Sequence, residues 1–364
     1  MIWYLLNIFI LTIAYLWPSK LEVSDPIDSA VSQSTRKRVC IIGSVGWIIL
    51  SGLRHYSIGD DTQSYGVRFE SGSSSSWNDL FENLYEKYIL GVEHKDPGFF
   101  ILQKFVSVFT KEYQVFLILI AVLFFVSMGV VIYKFSRNPY VSYVLFSTLF
   151  YSFFAITGNR QTIATAIALF LGYFLIKKRK FIPFVITVLL ASTIHASAVA
   201  IMPFYFISRI KINKGTLVGY IAAIILAFMF RYQLLDILKF MAGYDSYTDD
   251  ETAAAGTFIY LLLAIGLFVI VFHKRLLETN TEVVNVSINA VLVACAFSSL
   301  LLINPAFMRV VQYYSLFLLF LLPEMVKILP KKNDQKILTM IIVGMLIGLF
   351  VVTGANVTYK FFWQ

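Results

Sequence analysis

"VFLILIAVLFFVSMGVVIYKF", Val115–Phe135, is the stretch on which the fold class turns. Its one charge, Lys134, sits next to its end, and the run matches the roughly 20 residues a helix needs to cross bilayer hydrocarbon. Apolar runs near or above that length recur along all 364 residues, 59% of which are hydrophobic. Only 14% are charged, against about 25% in an ordinary soluble domain, and the mean hydropathy is +0.76. The chain reads as an all-α polytopic membrane protein, with residues 1–364 forming a single integral membrane domain. The short alternating segments of a transmembrane β-barrel are missing. Cys40 and Cys295 both fall in apolar runs and read as small packing residues rather than a disulfide or metal pair. Met1–Pro18 lacks a basic n-region and an A-x-A site, so it reads as a first span rather than a signal peptide.

Working outward from Val115–Phe135, the expected spans are Ile2–Trp17, Val39–Leu53, Val115–Phe135, Val141–Thr157, Gln161–Ile176 and Phe181–Ile194 in the first half. Ala196–Ile207, Gly215–Phe230, Gly256–Phe272, Ile288–Ile303, Arg309–Ile328 and Ile337–Ala355 follow. That makes about twelve helices. Sorting the loops alternately puts Arg36–Arg38, Lys134, Arg137, Lys177–Lys180, Arg209, Lys211, Lys214, Lys274, Arg275, Lys331 and Lys332 on one side. That side holds most of the 30 basic residues and a minority of the 21 acids. It is therefore expected to be cytoplasmic, with both chain ends outside. The net charge of +9 is thus a matter of topology, and no nucleic acid partner is implied. Parity also divides Phe181–Ile207: "KKRK" precedes it and "SRIKINK" follows, so two short helices turning near His195 keep both ends cytoplasmic.

Two outer segments are long, 54–114 and 231–255. In the first, "NDLFENLYEKYIL" reads as a short surface helix. "DPGFFILQKFVSVF" is too short to span, and Gln103, Lys104 and Ser107 share one face of it. It is expected in the interface plane, apolar side down. The second segment, with "GYDSYTDDETAAAG", reads as a flap.

Ionisable groups cost about 2.5–3.5 kcal/mol at the centre of a span but little at its end. Arg54, Arg160 and Arg309 each stand at an outer span end, and His195 stands at the forced turn. Packed together, they would surround one outward-facing cavity with the carboxylates of Asp60 and Asp61. Guanidinium suits bidentate binding of phosphate oxygens. Asp60, Asp61 and His195 are the groups able to take a proton from a hydroxyl, and Tyr65, Tyr56 and Trp77 offer faces that bind sugars. Each also has a plainer reading. An arginine at a span end is a common anchor, Asp60 and Asp61 follow Gly59 as turn residues do, and His195 fits a packing role. There is no metal motif, P-loop or dinucleotide fingerprint, and no cofactor is expected.

The blocks "LRHYSIGDDTQSY", "HKDPGFFILQKF", "GNRQTIATAIALF", "STIHASAVAIMPF" and "MRVVQYYSLFLLFLLP" together resemble the EpsG/Wzy-like family of bacterial polysaccharide polymerases, over roughly residues 48 to 325. They follow its order: R-x-x-x-x-G-x-D-x-x-x-Y, [DE]-P-G-F-x-x-L, R-Q-x-x-A-x-A-I, I-H-x-S-A and R-x-x-x-Y-Y. The resemblance implies a metal-independent membrane glycosyltransferase of GT-C architecture at the outer face of the bacterial inner membrane. It would move a growing glycan from undecaprenyl diphosphate to the non-reducing end of a lipid-linked repeat unit. The product would be O-antigen, capsule or exopolysaccharide, with a flippase and a chain-length regulator as companions. Carried over by position, Arg160, Asp61 and His195 are the catalytic candidates; Arg54, Asp60, Tyr65, Gln161 and Arg309 are the substrate-binding ones. Asp96 stands where the family often has glutamate, and its expected role is to position the interfacial helix. The competing classes are a flippase or other secondary transporter, which share this order of span count, and a membrane O-acyltransferase using His195 as base.

Overall fold

The computed structural model describes residues 1–18, 31–59, 61–72, 75–242, 256–279, 281–353 and 358–364. Every regular element among them is helical, apart from one isolated bridge between Arg54 and Phe361. The first half runs α1 (Ile2–Leu16), α2 (Gln33–Gly52), α3 (Thr62–Gly72), α4 (Trp77–Tyr85), α5 (Pro97–Ser107), α6 (Tyr113–Phe135), α7 (Pro139–Leu145), α8 (Asn159–Thr165) and α9 (Gly172–Lys177). The second runs α10 (Phe181–Ile194), α11 (Phe204–Ile207), α12 (Lys214–Met229), α13 (Arg231–Ala242), α14 (Gly256–Thr279), α15 (Thr281–Phe297), α16 (Met308–Ser315), α17 (Leu318–Val326) and α18 (Lys332–Thr353). Asp60 and residues 243–255, which include the expected flap, lie outside the described residues.

α6, α14, α18 and the stretch Glu282–Leu302 are each long and apolar enough to cross a membrane. α16 with its preceding turn and α17 pass that test only as a pair, bent by 55°. Several expected spans are therefore not continuous α-helices. Val141–Thr157 leaves α7 through π-helical turns at Phe146–Phe150 and Ser152–Thr157, and another π turn, Ala166–Leu171, separates α8 from α9. Apolar periodicity does not register such breaks, because each turn still buries its side chains. What the breaks require is new partners for displaced carbonyls, and at Ser152–Thr157 side chains supply them. Ser51 Oγ donates to the Ala155 carbonyl at 2.6 Å, and Thr162 Oγ1 donates to that of Phe154 at 2.8 Å.

The core grows from aromatic packing between α1, α2, α6 and α7. Trp47 is fully buried, stacks on Phe125 and Tyr4, and donates its indole N–H to Ser147 Oγ at 3.0 Å. Close approach of α2 and α6 depends on small residues: a Cβ on Gly129 would lie 2.4 Å from Ser44 Oγ. The expected turn at His195 is borne out. α10 ends at Ile194, and the chain folds back so that the rings of Phe181 and Tyr205 meet at 4.9 Å.

The two ends of the bundle differ in chemistry. At one end the basic residues cap helices as well as carry charge. Arg36 is buried and donates to the Tyr133, Ser136 and Arg137 carbonyls at the end of α6. Arg38 donates to Ala14 and Trp17 carbonyls at the end of α1. Cations are favoured at such C-termini. Arg137 and Glu324, both buried, pair at 3.0 Å. At the other end lie Arg54, Arg160 and His195, and there Trp3 meets Phe361 at 5.1 Å, so the two ends of this chain share that face.

α5 corrects an expectation. Gln103 and Ser107 point inward and are almost fully buried, while Phe105 and Phe109 are 55% and 76% exposed. The polar stripe faces protein rather than water, because Gln103 donates to the Tyr65 carbonyl of α3. A polar stripe in an apolar helix marks either an outer or an inner surface, and periodicity alone does not separate them.

The Arg137–Glu324 pair yields a stability test. Arg137→Met leaves the Glu324 carboxylate buried without its cation, which costs about 3–5 kcal/mol. The expected outcome is a marked drop in the thermal midpoint of the detergent-purified protein, with most of the loss recovered in the Arg137→Met/Glu324→Met double variant.

Candidate active site

The site is built around Asp96. This residue adopts a left-handed conformation, φ 51°, at the N-cap of α5. Aspartate is among the few non-glycine residues that visit this region readily. Pro97 then starts the helix with a fixed φ and no N–H to satisfy. Gly98 lets α5 press against α10, since a Cβ there would lie 2.2 Å from Thr193 Oγ1. The Asp-Pro-Gly triplet thus turns the Asp96 carboxylate away from its own helix and into the protein. There it meets Arg160 Nη1 at 2.5 Å, His195 Nδ1 at 3.3 Å and the Ala196 backbone N–H at 3.1 Å. All three side chains are buried.

A second line of contacts leads away from Arg160. Its Nε–H donates to Tyr65 Oη at 3.0 Å, and its guanidinium lies 5.3 Å from the centre of that ring. Tyr65 Oη in turn reaches Asp61 Oδ2 at 3.4 Å, longer than a normal O–H···O bond. Asp61 precedes α3, and Gly59 sets the turn before it: φ is +97°, and a Cβ would lie 2.6 Å from the Ile156 carbonyl. Glycine is required there on both counts. Gln161, the next residue after Arg160, donates to the Arg309 carbonyl at 2.7 Å and ties α16 to α8.

The structure therefore brings together Asp61, Tyr65, Arg160, Gln161, His195 and Arg309 of the expected residues. Arg54 is near but differently engaged. Fully buried, it donates to the Ser51 carbonyl at the end of α2 and to Asn159 Oδ1 at 2.9 Å. Its contact with the cluster runs through Asn159, the neighbour of Arg160. Tyr56 is 52% exposed, and Trp77 stacks on Phe81 of its own helix, so neither joins the cluster. Two members were missed as site residues. Asp96 was expected only to position a helix, and Gln103 was assigned to the outer face. An aspartate before Pro-Gly was the available signal, since that triplet implies an unusual backbone turn with a carboxylate on it.

Electrostatics divide the roles. Burial lowers the pKa of His195 below its ordinary 6.5; the Asp96 hydrogen bond and charge pull it back, and Arg309 and Arg160 push it down further. The Asp96 carboxyl is raised by burial, but hydrogen bonding from His195, the Arg160 charge and the Ala196 N–H together leave it below its ordinary 3.8. At neutral pH, then, His195 is uncharged and Asp96 ionised. Nδ1 carries the proton toward the carboxylate, and Nε2, buried with no hydrogen-bond partner among the described residues, keeps a lone pair. A carboxylate-oriented neutral imidazole is the arrangement of a general base. Lys95 joins the positive field, felt alongside Arg160, Arg309 and Arg68. Such an end suits an anionic substrate.

A model of the EpsG family matches residues 37–363, nearly the whole chain. No curated protein and no solved structure matches it.

The couplings around His195 give directional pKa predictions. Asp96→Asn removes a group that raises the His195 pKa, so the value falls further; Arg309→Gln removes one that lowers it, so the value rises. Histidine-labelled NMR titration reads both, with only 4 histidines to assign. The sign for stability follows. With its folded pKa below 6.5, His195 takes up its proton first in the unfolded chain, so its contribution declines as pH falls from about 6.5. The Asp96 contribution is present above 3.8 and is lost as pH falls through its lower folded value.

Proposed function

Because the chain belongs to the EpsG family, whose membership suggests a polysaccharide polymerase-type activity, we propose that it is a metal-independent membrane glycosyltransferase of GT-C type. In this reading it transfers a growing glycan from undecaprenyl diphosphate to the non-reducing end of the next lipid-linked repeat unit. The single observation that carries the reading is the buried His195–Asp96–Arg160 constellation, with His195 Nε2 unpartnered among the described residues.

The steps follow from the groups. His195 Nε2 takes the proton of the acceptor hydroxyl as that oxygen bonds to the anomeric carbon of the donor. The anomeric carbon–oxygen bond breaks, and its electron pair leaves on the diphosphate. Arg309 and Arg160 supply fixed positive charge to that leaving group, the kind of preorganised electrostatics that lowers barriers most. Arg160 is held for the task by Asp96 and Tyr65. Asp96 also offsets the charge that His195 acquires. Of the two candidate bases the geometry supports His195. Asp61 is half-buried, and its side-chain hydrogen bond among the described residues is the long contact to Tyr65; we assign it, with Tyr65 and Gln161, to holding the acceptor sugar. Asp60 is assigned there by position alone. Arg54 braces Asn159 beneath the cluster.

In the same reading about twelve short and long spans cross the inner membrane, with the Arg160 end outward and the basic end cytoplasmic. Gathering of the capping arginines at the far end supports that orientation.

Three measurements test the proposal in a strain lacking its own copy. Arg160→Lys and Arg309→Lys keep charge but lose the planar fork. Each is expected to yield single repeat units instead of long chains, a loss of about ten- to a hundredfold in rate for one charge-assisted bond. His195→Ala and Asp96→Asn should do the same at normal protein level. Full-length glycan ladders from all four would sink the reading, and loss of even single surface repeats would point to a flippase. A cysteine at Asn78 should label from outside intact cells and one at Asn333 should not; the reverse pattern inverts the orientation.

A further inference from the structure

At the far end of the bundle from the site, the surface between α2 and α6 carries a groove of about 800 Å³ open to the surroundings. Its construction follows from the helical repeat. Lys37, Ile41, Val45 and Ile48 form one stripe of α2 at spacings of three and four residues, and Val126, Val130 and Lys134 form the facing stripe of α6. Between them the floor is made of small residues, Cys40, Ser44 and Gly129. Large walls over a small floor make a channel that runs along the helices. The walls are apolar and exposed, Ile41 at 52% and Val126 at 49%. Charge stands at one end only, where Lys37 and Lys134 meet the polar side chains of Gln33 and Ser34.

We propose that this groove binds one anionic phospholipid of the bilayer, with an acyl chain along the channel and the phosphate at Lys37 and Lys134. Two magnitudes select this occupant. From Lys37 to Ile48 the helix rises about 17 Å, which matches the ~15 Å of hydrocarbon in one leaflet. From Lys37 to Arg54 it rises about 25 Å, so a lipid whose phosphate rests on Lys37 cannot present that phosphate to the Arg160–His195 cluster. The occupant is therefore a lipid of the opposite leaflet rather than the substrate of the site. The charge at the mouth asks for an anionic headgroup, and both lysines line that end of the groove. The Lys134 ammonium lies 4.9 Å from the Phe174 ring, and its flexible stem lets it turn to a phosphate.

The inference stands apart from the proposed activity, because its test reads lipid retention and no glycan. The full-length protein, delipidated in detergent, is offered phosphatidylglycerol or phosphatidylcholine with identical chains, and retained lipid is counted by native mass spectrometry. One phosphatidylglycerol is expected to stay bound, with a preference of about tenfold or more over phosphatidylcholine, the scale of a lost charge-assisted contact. Lys37→Gln/Lys134→Gln should abolish the preference. Val45→Trp, which fills the channel from an exposed position, should abolish retention of the bound lipid while leaving the thermal midpoint near that of the parent. Equal retention of the two lipids by the parent overturns the proposal. So does a preference that survives the double lysine variant, retention that survives Val45→Trp, or displacement of phosphatidylglycerol by an equal concentration of polyprenyl phosphate, which would assign the groove to the substrate.

Discussion

One buried carboxylate organises the Arg160–His195 end of this molecule. Asp96 accepts from Arg160, His195 and the Ala196 N–H, and so joins α5, α8 and the turn after α10 at a single point. A lone charge at that depth is costly, and removing one partner of such a set costs more than the set gains by forming. The elements that carry the partners are therefore held in register by the penalty for separating them. The left-handed backbone of Asp96 adds about 1–2 kcal/mol of local strain, which the three contacts offset. Tyr65 extends the same constraint to α3 through Arg160.

Irregular helices are what allow these groups to converge. The π turns at Ser152–Thr157 and Ala166–Leu171 bracket α8 and let it present Asn159, Arg160 and Gln161 on successive sides to Arg54, Asp96 and Arg309. Such turns are uncommon and gather at functional sites. At Ser152–Thr157, Ser51 and Thr162 donate to the Ala155 and Phe154 carbonyls. Polar side chains of α2 and α8 that look incidental in an apolar sequence thus hold the backbone around the site.

The arginines at the ends of the bundle divide by partner rather than by end. Arg36 and Arg38 donate to carbonyls at helix C-termini at the basic end, and at the other end Arg54 caps α2 and also donates to Asn159 Oδ1. Arg160 instead faces a carboxylate and a phenol. Residue type and position at a span end are alike in all four. What separates a cap from a paired charge is the identity of the partner, a carbonyl in one case and an ionisable side chain in the other.

How much of this was legible beforehand follows from the range of each interaction. Hydropathy and loop charge are local sums, and they sufficed for the helical membrane class, the two-ended charge distribution and the fold-back at His195. Order of motifs along the chain was enough to suggest the family. The Asp96 hub was not legible, because its partners lie 64 and 99 residues away in sequence and no local pattern states which arginine an aspartate will meet. Nor was the inward face of α5, since a stripe with Gln103 and Ser107 has the same period whichever way it points. The helix break before α8 escaped for a related reason: the Ala155 carbonyl there is satisfied by Ser51, 104 residues away, and such a pairing exists only once distant segments pack. The sequence by itself determined which residues could carry charge at a span end; tertiary structure alone decided which of those charges were brought to face each other, because in a low-dielectric interior that choice is made by pairing across the fold rather than by position along the chain.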